Sequence, residues 1–171
     1  MDFDKAFYKK EFERLLSLKT ENKSFIKKSN ASFKIKKFAK KGSDSLELAN
    51  YISTSEQNAK DYWTITISYY SMLYLAKAAI LTKGYETDDH YSTQIALGHL
   101  LVPDEMEKED LKLLELAYKI FEDDYVEYFH DARKESSVSR YSATKVYTEK
   151  RVKEILENAR EFIKKVSLIL E

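Results

Sequence analysis

Cysteine is absent from this chain of 171 residues, and only three glycines and one proline interrupt it. The lack of cysteine excludes a disulfide framework, a thiolate metal site and a thiol nucleophile. Because so few residues break regular structure, and apolar residues recur three and four apart, the sequence predicts an all-helical domain. A chain of this length is about one ordinary domain, which can bury a core without disulfides or a structural metal.

Net charge and long apolar runs are also lacking. The 29 lysines and arginines balance 29 aspartates and glutamates, so no overall field favours nucleic acid or a membrane as a partner. No apolar run approaches the roughly 20 residues of a membrane span, and the first residues, MDFDKAFYKKEFERLL, are too charged and acidic for a secretory signal. Together with the absence of cysteine, these features predict a cytoplasmic protein without a membrane segment.

Apolar spacing along the chain predicts an all-α fold, an antiparallel up-and-down bundle of about five helices. The long helices are expected over residues 4–19, 32–55, 62–83, 108–129 and 148–170, with a shorter helix over 91–101. Segment 62–83 is nearly apolar all round, so it should be the central and most buried helix. Gly84 is expected to end that helix in the left-handed conformation, and Thr148 to begin the last helix as its N-cap.

Two of the predicted helices carry residues that disturb a regular apolar stripe. Gly42 weakens the second helix, and Asp44 followed by Glu47 is a capping pattern that can restart it. On the central helix, tyrosine hydroxyls need hydrogen-bond partners wherever they are buried. The tyrosines concerned are Tyr69, Tyr70 and Tyr74.

The charges that cancel overall are separated along the chain. Residues 23–41 hold eight lysines and no acid, whereas residues 84–131 hold fourteen acids and three lysines. One interpretation of the basic run, with its interleaved phenylalanines, is a surface that contacts phosphate backbones. The other interpretations are solvated helix faces, pairing with the acidic region within a monomer or across a dimer, and a basic helix at a membrane surface. The candidate nucleic-acid-binding residues are Lys27, Lys28, Lys34, Lys36 and Lys37.

The segment NAKDYWTITISYYSMLYLAKAAILTKGYETDDHYSTQIALGHLLV, residues 58–102, resembles the centre of HEPN domains. The similarity lies in the paired tyrosine, the small-residue AKAAI turn, the Lys-Gly helix end and a short helix introduced by a histidine. The stretch ARKESSVSRYS adds Arg133 and Tyr141 in the relation that many HEPN proteins show before their last long helix. The resemblance implies a HEPN-like helical bundle over residues 31–171, preceded by an N-terminal helical extension over 1–30, within a single domain.

Nuclease members of the family carry an arginine and a histidine separated by four to six residues. Metal-independent RNA cleavage needs a proton acceptor for the 2′-hydroxyl and a cation for the scissile phosphate. After Arg133, the histidine positions hold Val138, Ser139 and Arg140, and none of the five arginines precedes a histidine at that spacing. A serine hydroxyl has no pKa near neutrality and arginine is always protonated, so neither acts as the base. We therefore predict no catalytic residue, cofactor or metal, and no enzyme of the usual HEPN type.

Histidines elsewhere in the chain leave an RNase with a displaced histidine as an alternative. His130 lies three residues before Arg133, His90 begins the predicted short helix, and His99 lies within it. Histidines at the surface or at helix ends, with capping and dipole roles, are the competing interpretation. A divalent cation site with helical spacing competes in the same way with a solvated acidic face. Its residues would be Glu122, Asp123, Glu127 and His130.

The resemblance implies a function as well as a fold. We expect a homodimer that binds a nucleotide or RNA and belongs to a toxin–antitoxin-like module together with a nucleotidyltransferase. Two guanidinium groups close in sequence suit a phosphate-bearing group, so a ligand site is expected in a dimer-interface cleft. The site residues are Arg133, Arg140, Tyr141 and His130. In relatives paired with a nucleotidyltransferase, a tyrosine beside the arginine motif receives the nucleotide, and Tyr141 stands at that position here.

One other interpretation of the same stretch remains open, in which the chain is a purely structural interaction module. In that case Arg133 forms a salt bridge with Asp131 or Glu135 in a loop between two helices.

Overall fold

The computed structural model describes residues 3–20, 23–56, 60–131 and 138–171, and their side chains except those of residues 19, 20, 23, 24, 124–131 and 138–148. Six helices lie in these ranges: α1 (Lys5–Ser17), α2 (Phe33–Ser53), α3 (Lys60–Thr82), α4 (His90–Leu100), α5 (Lys108–Asp131) and α6 (Val138–Leu170). The predicted all-α bundle is confirmed, with five long helices, α1 among them, and the expected short helix α4. Among the described residues, no helix combines the length and the apolar character needed to cross a membrane.

The central position of α3 is confirmed. More than half of its residues are buried, and Ile65, Met72 and Ile80 have no exposed surface at all. Helices α2, α4, α5 and α6 all pack against it. An apolar segment that is covered on every side gains about 1.5–3 kcal/mol for each large side chain that it buries, which explains why the most apolar segment takes the centre.

Helix α2 runs through Gly42 without a break, so the predicted restart at Asp44 is wrong. Asp44 instead accepts a hydrogen bond of 2.8 Å from the Lys40 ammonium within the same helix. Gly42 faces α3, where a Cβ atom would lie 3.0 Å from the Ser71 carbonyl oxygen and 3.2 Å from Leu75 Cδ1. The glycine costs about 1 kcal/mol of helix propensity, and its missing side chain allows the two helices to approach closely.

The ends of two helices test the predicted caps. Gly84 has a φ of 79°, which confirms the left-handed conformation after α3. By contrast, α6 begins at Val138, ten residues before Thr148, so the predicted N-cap is wrong. Residues 138–147 contain no glycine or proline, and serine or threonine lowers helix propensity without preventing a helix that tertiary packing supports. Arg140 and Tyr141 therefore lie near the start of a helix and not in a loop.

Four short strands, which the sequence did not predict, form two antiparallel pairs in the described ranges. Strand β1 (Lys19–Thr20) pairs with β2 (Lys23–Ser24), and β3 (Ile26–Lys28) pairs with β4 (Tyr85–Thr87). In the second pair Ile26 lies opposite Thr87, and Ile26 is only 1% exposed. Helix α1 packs on α4 through buried apolar side chains. The N-terminal residues thus join the same core as the bundle.

Candidate functional site

The predicted ligand site lies largely outside the described residues. Arg133 belongs to segment 132–137, and the side chains of His130, Arg140 and Tyr141 are not among those described. The backbone places His130 at the C-terminal end of α5 and the other two residues near the start of α6. The proposed phosphate site and the alternative salt bridges of Arg133 therefore stay predictions.

The lysines predicted to bind nucleic acid fall into two groups, of which the first is paired within the fold. The ammonium groups of Lys27 and Lys34 lie 3.6 and 2.9 Å from the Glu86 carboxylate on β4, and Ser29 also donates a hydrogen bond to it. Burial alone would raise the pKa of Glu86, but the hydrogen bonds from Ser29 and Lys34 hold it below its ordinary value. These lysines meet the acidic region within the monomer, which was one of the interpretations of the charge runs.

The second group of lysines consists of Lys28 on β3 and of Lys36 and Lys37, which are exposed on the outer face of α2. Lys28, Lys36 and Lys37 form no ion pair with any described carboxylate. Lys41 places its ammonium 4.0 Å from the centre of the Tyr74 ring, a cation–π contact between α2 and α3. An open groove of about 350 Å³ follows the same face of α2. It is lined by Lys37, Lys40, Lys41, Asp44, Ser45 and Leu48.

A continuous row of aromatic rings, called here the aromatic surface, extends from α2 across α3 to α5 and α4. In spatial order its members are Phe38, Tyr74, Tyr70, Tyr69, Phe121, Tyr118 and His90. Tyr69 is 3% exposed and anchors the row in the core, whereas Tyr70 is 37% exposed. The tyrosine pair on α3 therefore has one buried and one exposed member.

The contacts along the aromatic surface are close and specific. Phe38 stacks on Tyr74 with 6.2 Å between ring centres, and Tyr70 follows at 6.1 Å from Tyr74. Tyr69 stacks on Phe121 at 4.7 Å with an interplanar angle of 15°. Each aromatic pair of this kind contributes about 0.5–1.5 kcal/mol beyond its buried area. The rings are thus held in fixed positions by four different helices.

His90, the first residue of α4, lies between two tyrosines at the end of this row. Its Nδ1 is 3.2 Å from the Tyr69 hydroxyl, which provides the partner predicted for a buried tyrosine, and its ring stacks 3.7 Å from the Tyr118 ring. Burial lowers the pKa of His90 to about 4, so the imidazole is neutral at pH 7. Burial also raises the pKa of Tyr69, and a hydrogen bond to Glu122 raises the pKa of Tyr118 to about 12. Near neutrality these groups act as uncharged hydrogen-bonding and stacking groups.

The low pKa of His90 predicts a loss of stability in acid. Between pH 6.5 and 4 the unfolded histidine takes up a proton that the folded one does not, so stability falls as the pH is lowered through that window. After allowance for partial exposure, we expect this group to contribute a loss of about 2 kcal/mol. Urea denaturation across this pH range should show that the free energy of unfolding falls less steeply with decreasing pH in His90→Gln than in wild type. Tyr118→Phe, which keeps the stacked ring and the histidine, serves as the control and should retain the wild-type slope.

The other histidine and carboxylate candidates find no catalytic arrangement in the described part of the chain. The His99 ring lies 4.6 Å from that of Phe12, and burial lowers its pKa. The arginines with described side chains pair with polar groups: Arg14 with Glu11, Arg151 with Asp123, and Arg160 with Asn50. No set of three described histidine, aspartate or glutamate side chains is placed to hold a metal ion, and Glu127 and His130 lie outside that set.

Comparison with known proteins identifies the family. No curated protein and no solved structure matches the chain. The sequence model of the HEPN domain matches residues 35–169, which include nearly all of α2 to α6 and leave out α1 and the strands β1 to β3. The matched range contains the aromatic surface and also the stretch around Arg133 and Tyr141. Because this match spans most of its length, the chain belongs to the HEPN domain family.

Proposed function

We propose that this HEPN domain binds single-stranded RNA or a nucleotide and does not cut RNA, acting as the helical partner of a nucleotidyltransferase in a toxin–antitoxin-like module. The observation that carries the binding proposal is the contact between Lys41 of α2 and Tyr74 of α3. At this point the aromatic surface meets the lysine-bearing face of α2. Membership of a family that is generally related to nucleotides and RNA supports the same proposal.

The chemistry of the aromatic surface suits an unpaired nucleotide. Every nucleobase has a π face, so stacking on tyrosine is tolerant of sequence and contributes about 1–3 kcal/mol per base. Tyr70 supplies an exposed ring, and the Lys41 ammonium beside Tyr74 supplies a cation for a phosphate next to a stacked base. The neutral imidazole of His90 and the tyrosine hydroxyls offer hydrogen bonds without the cost of removing charges from water.

Binding of a fluorescent single-stranded RNA oligonucleotide, measured by anisotropy at several salt concentrations, tests this proposal. Tyr70→Ala should weaken binding by about 5- to 100-fold, because one stacking platform is lost. Lys41→Gln should weaken binding to every RNA sequence alike. It should also reduce the slope of log affinity against log salt concentration by the amount that one phosphate contact contributes.

The matched control is Phe7→Ala on α1, which removes another exposed aromatic ring, 49% exposed, outside the aromatic surface. This control should bind as wild type does. Equal affinity of wild type and Tyr70→Ala, or binding that does not change with salt, would contradict the proposal.

The nucleotidyltransferase part of the proposal rests on the stretch that resembles other HEPN proteins. Tyr141 is the candidate acceptor of a nucleotide, and Arg133 with Arg140 would hold the phosphate. Mass spectrometry of Tyr141 after coexpression with a nucleotidyltransferase encoded beside this chain tests this step. An unmodified Tyr141, and nucleotide binding that the double variant Arg133→Ala, Arg140→Ala leaves unchanged, would reduce the stretch to a connection between two helices.

A further inference from the structure

The outer face of α2 carries the two most exposed large apolar side chains of the described residues. Phe33 is 73% exposed and Tyr51 is 74% exposed, and Leu48 between them is 48% exposed. Residues spaced three and four apart lie on one side of a helix, so these side chains share one stripe, called here the α2 stripe. Its members are Phe33, Lys37, Lys40, Asp44, Glu47, Leu48 and Tyr51.

The α2 stripe has opposite charges in its two halves. All of its lysines precede Gly42, and both of its acids follow it. Two copies of α2 in a parallel pair would bring like charges together, which is unfavourable. In an antiparallel pair, the basic half of each helix would lie against the acidic half of the other.

When a two-fold axis passes at position 42, residues equally distant from that position lie opposite each other. Every member of the stripe then faces another member except Leu48, which lies opposite Lys36. Phe33 then lies opposite Tyr51, which is an aromatic pair. Lys37 lies opposite Glu47, and Lys40 lies opposite Asp44. The symmetry repeats each pair twice, so one helix contact contains two aromatic pairs and four ion pairs.

We propose that α2 is a homodimer interface, in which two copies of this chain pack antiparallel through the α2 stripe. The groove of about 350 Å³ at the centre of this face gives room for side chains of the second copy. A polyanion would meet Asp44 and Glu47 along the same stripe, and a peptide of one charge sign would match only half of it. A second copy of the chain matches both halves. Tyr70 and Tyr74 lie on α3, outside the stripe, so this inference does not depend on RNA binding.

A pair of charge variants tests the interface in the full chain. The acidic variant (Lys37→Glu with Lys40→Asp) has acids along the whole stripe, and the basic variant (Asp44→Lys with Glu47→Lys) has lysines along it. Two copies of either variant alone would place like charges opposite each other at all four charged positions of the stripe. One copy of each variant would instead place a lysine opposite an acid at all four positions.

Light scattering coupled to size exclusion, at micromolar concentrations, should show wild type as a dimer and each variant alone as a monomer. An equimolar mixture of the two variants should recover the dimer mass. Circular dichroism should show that the variants remain helical, because losing the exposed Lys40–Asp44 ion pair costs only about 0.3–0.5 kcal/mol.

The matched control makes the same change of charge on α5, at exposed positions outside the stripe. It is the variant with Lys112→Glu and Lys119→Asp, which should stay dimeric. A monomeric wild type would overturn the proposal. So would charge variants that each remain dimeric alone, or a mixture that fails to recover the dimer.

Discussion

Replacement of Phe162 by alanine is expected to lower the free energy of unfolding by about 3–5 kcal/mol. The Phe162 side chain is completely buried on α6, the helix that packs against the central α3. Removal of the ring loses its transfer free energy and leaves a cavity, because the surrounding side chains relax only partly. Thermal denaturation followed by circular dichroism should show a melting temperature lower by roughly 6–20 °C.

Leu168 provides the matched control on the same helix. Its side chain is 65% exposed, so Leu168→Ala should change the free energy of unfolding by only about 0.5 kcal/mol. Comparable losses of unfolding free energy in Phe162→Ala and Leu168→Ala would show that α6 does not bury the side that carries Phe162.

The buried face of α6 was predictable from the sequence because a helix with one buried side has apolar residues that recur at regular intervals. Apolar side chains at spacings of three and four predicted a stripe of eight positions on this helix: Val152, Ile155, Leu156, Ala159, Phe162, Ile163, Val166 and Ile169. Six of the eight are buried, and Ile163 and Ile169 are partly buried against the same core. The uniformly apolar α3 was predictable in the same way, since only a central helix can be apolar on every side.

Features that depend on contacts distant in sequence were not predictable. Strand β3 pairs with β4 across more than fifty residues, and strands of two or three residues are too short to show a periodicity of their own. The fit of Gly42 against Ser71 depends on how α2 and α3 are placed. The sequence therefore showed a glycine that weakens a helix, and only the packing shows why it suits that position.

The same distinction applies to the candidate site. The sequence treated the lysines of residues 23–41 as one basic run, whereas the fold pairs Lys27 and Lys34 with Glu86 and sets Lys41 against Tyr74. The aromatic surface joins rings from four helices, so no local pattern could identify it. The aromatic surface is visible only in the structure, whereas the stretch around Arg133 was recognisable only from the sequence. Its residue types resemble those of other HEPN proteins, and its side chains lie outside the described part of the structure.

The second large effect concerns RNA cleavage. We expect the purified protein to cleave RNA about 10²- to 10⁴-fold more slowly than HEPN relatives that carry the arginine–histidine pair, because that factor is the usual contribution of a general base. The pair is absent after Arg133, where Val138, Ser139 and Arg140 occupy the histidine positions. Among the described histidines, His90 has a pKa of about 4 and is held between two tyrosines, so it is a weak proton acceptor at pH 7.

Single-turnover assays with a labelled RNA oligonucleotide test this expectation, and two histidine variants make the result decisive. His130→Ala removes the histidine nearest to Arg133 in the sequence, whereas His99→Ala removes one whose ring packs against Phe12. Cleavage that survives both substitutions at an unchanged rate uses neither His130 nor His99 as its base, since a general base cannot be removed without a loss of rate. Cleavage that disappears in His130→Ala and persists in His99→Ala would mean that a displaced histidine does act as the base, and the protein would then be an RNase.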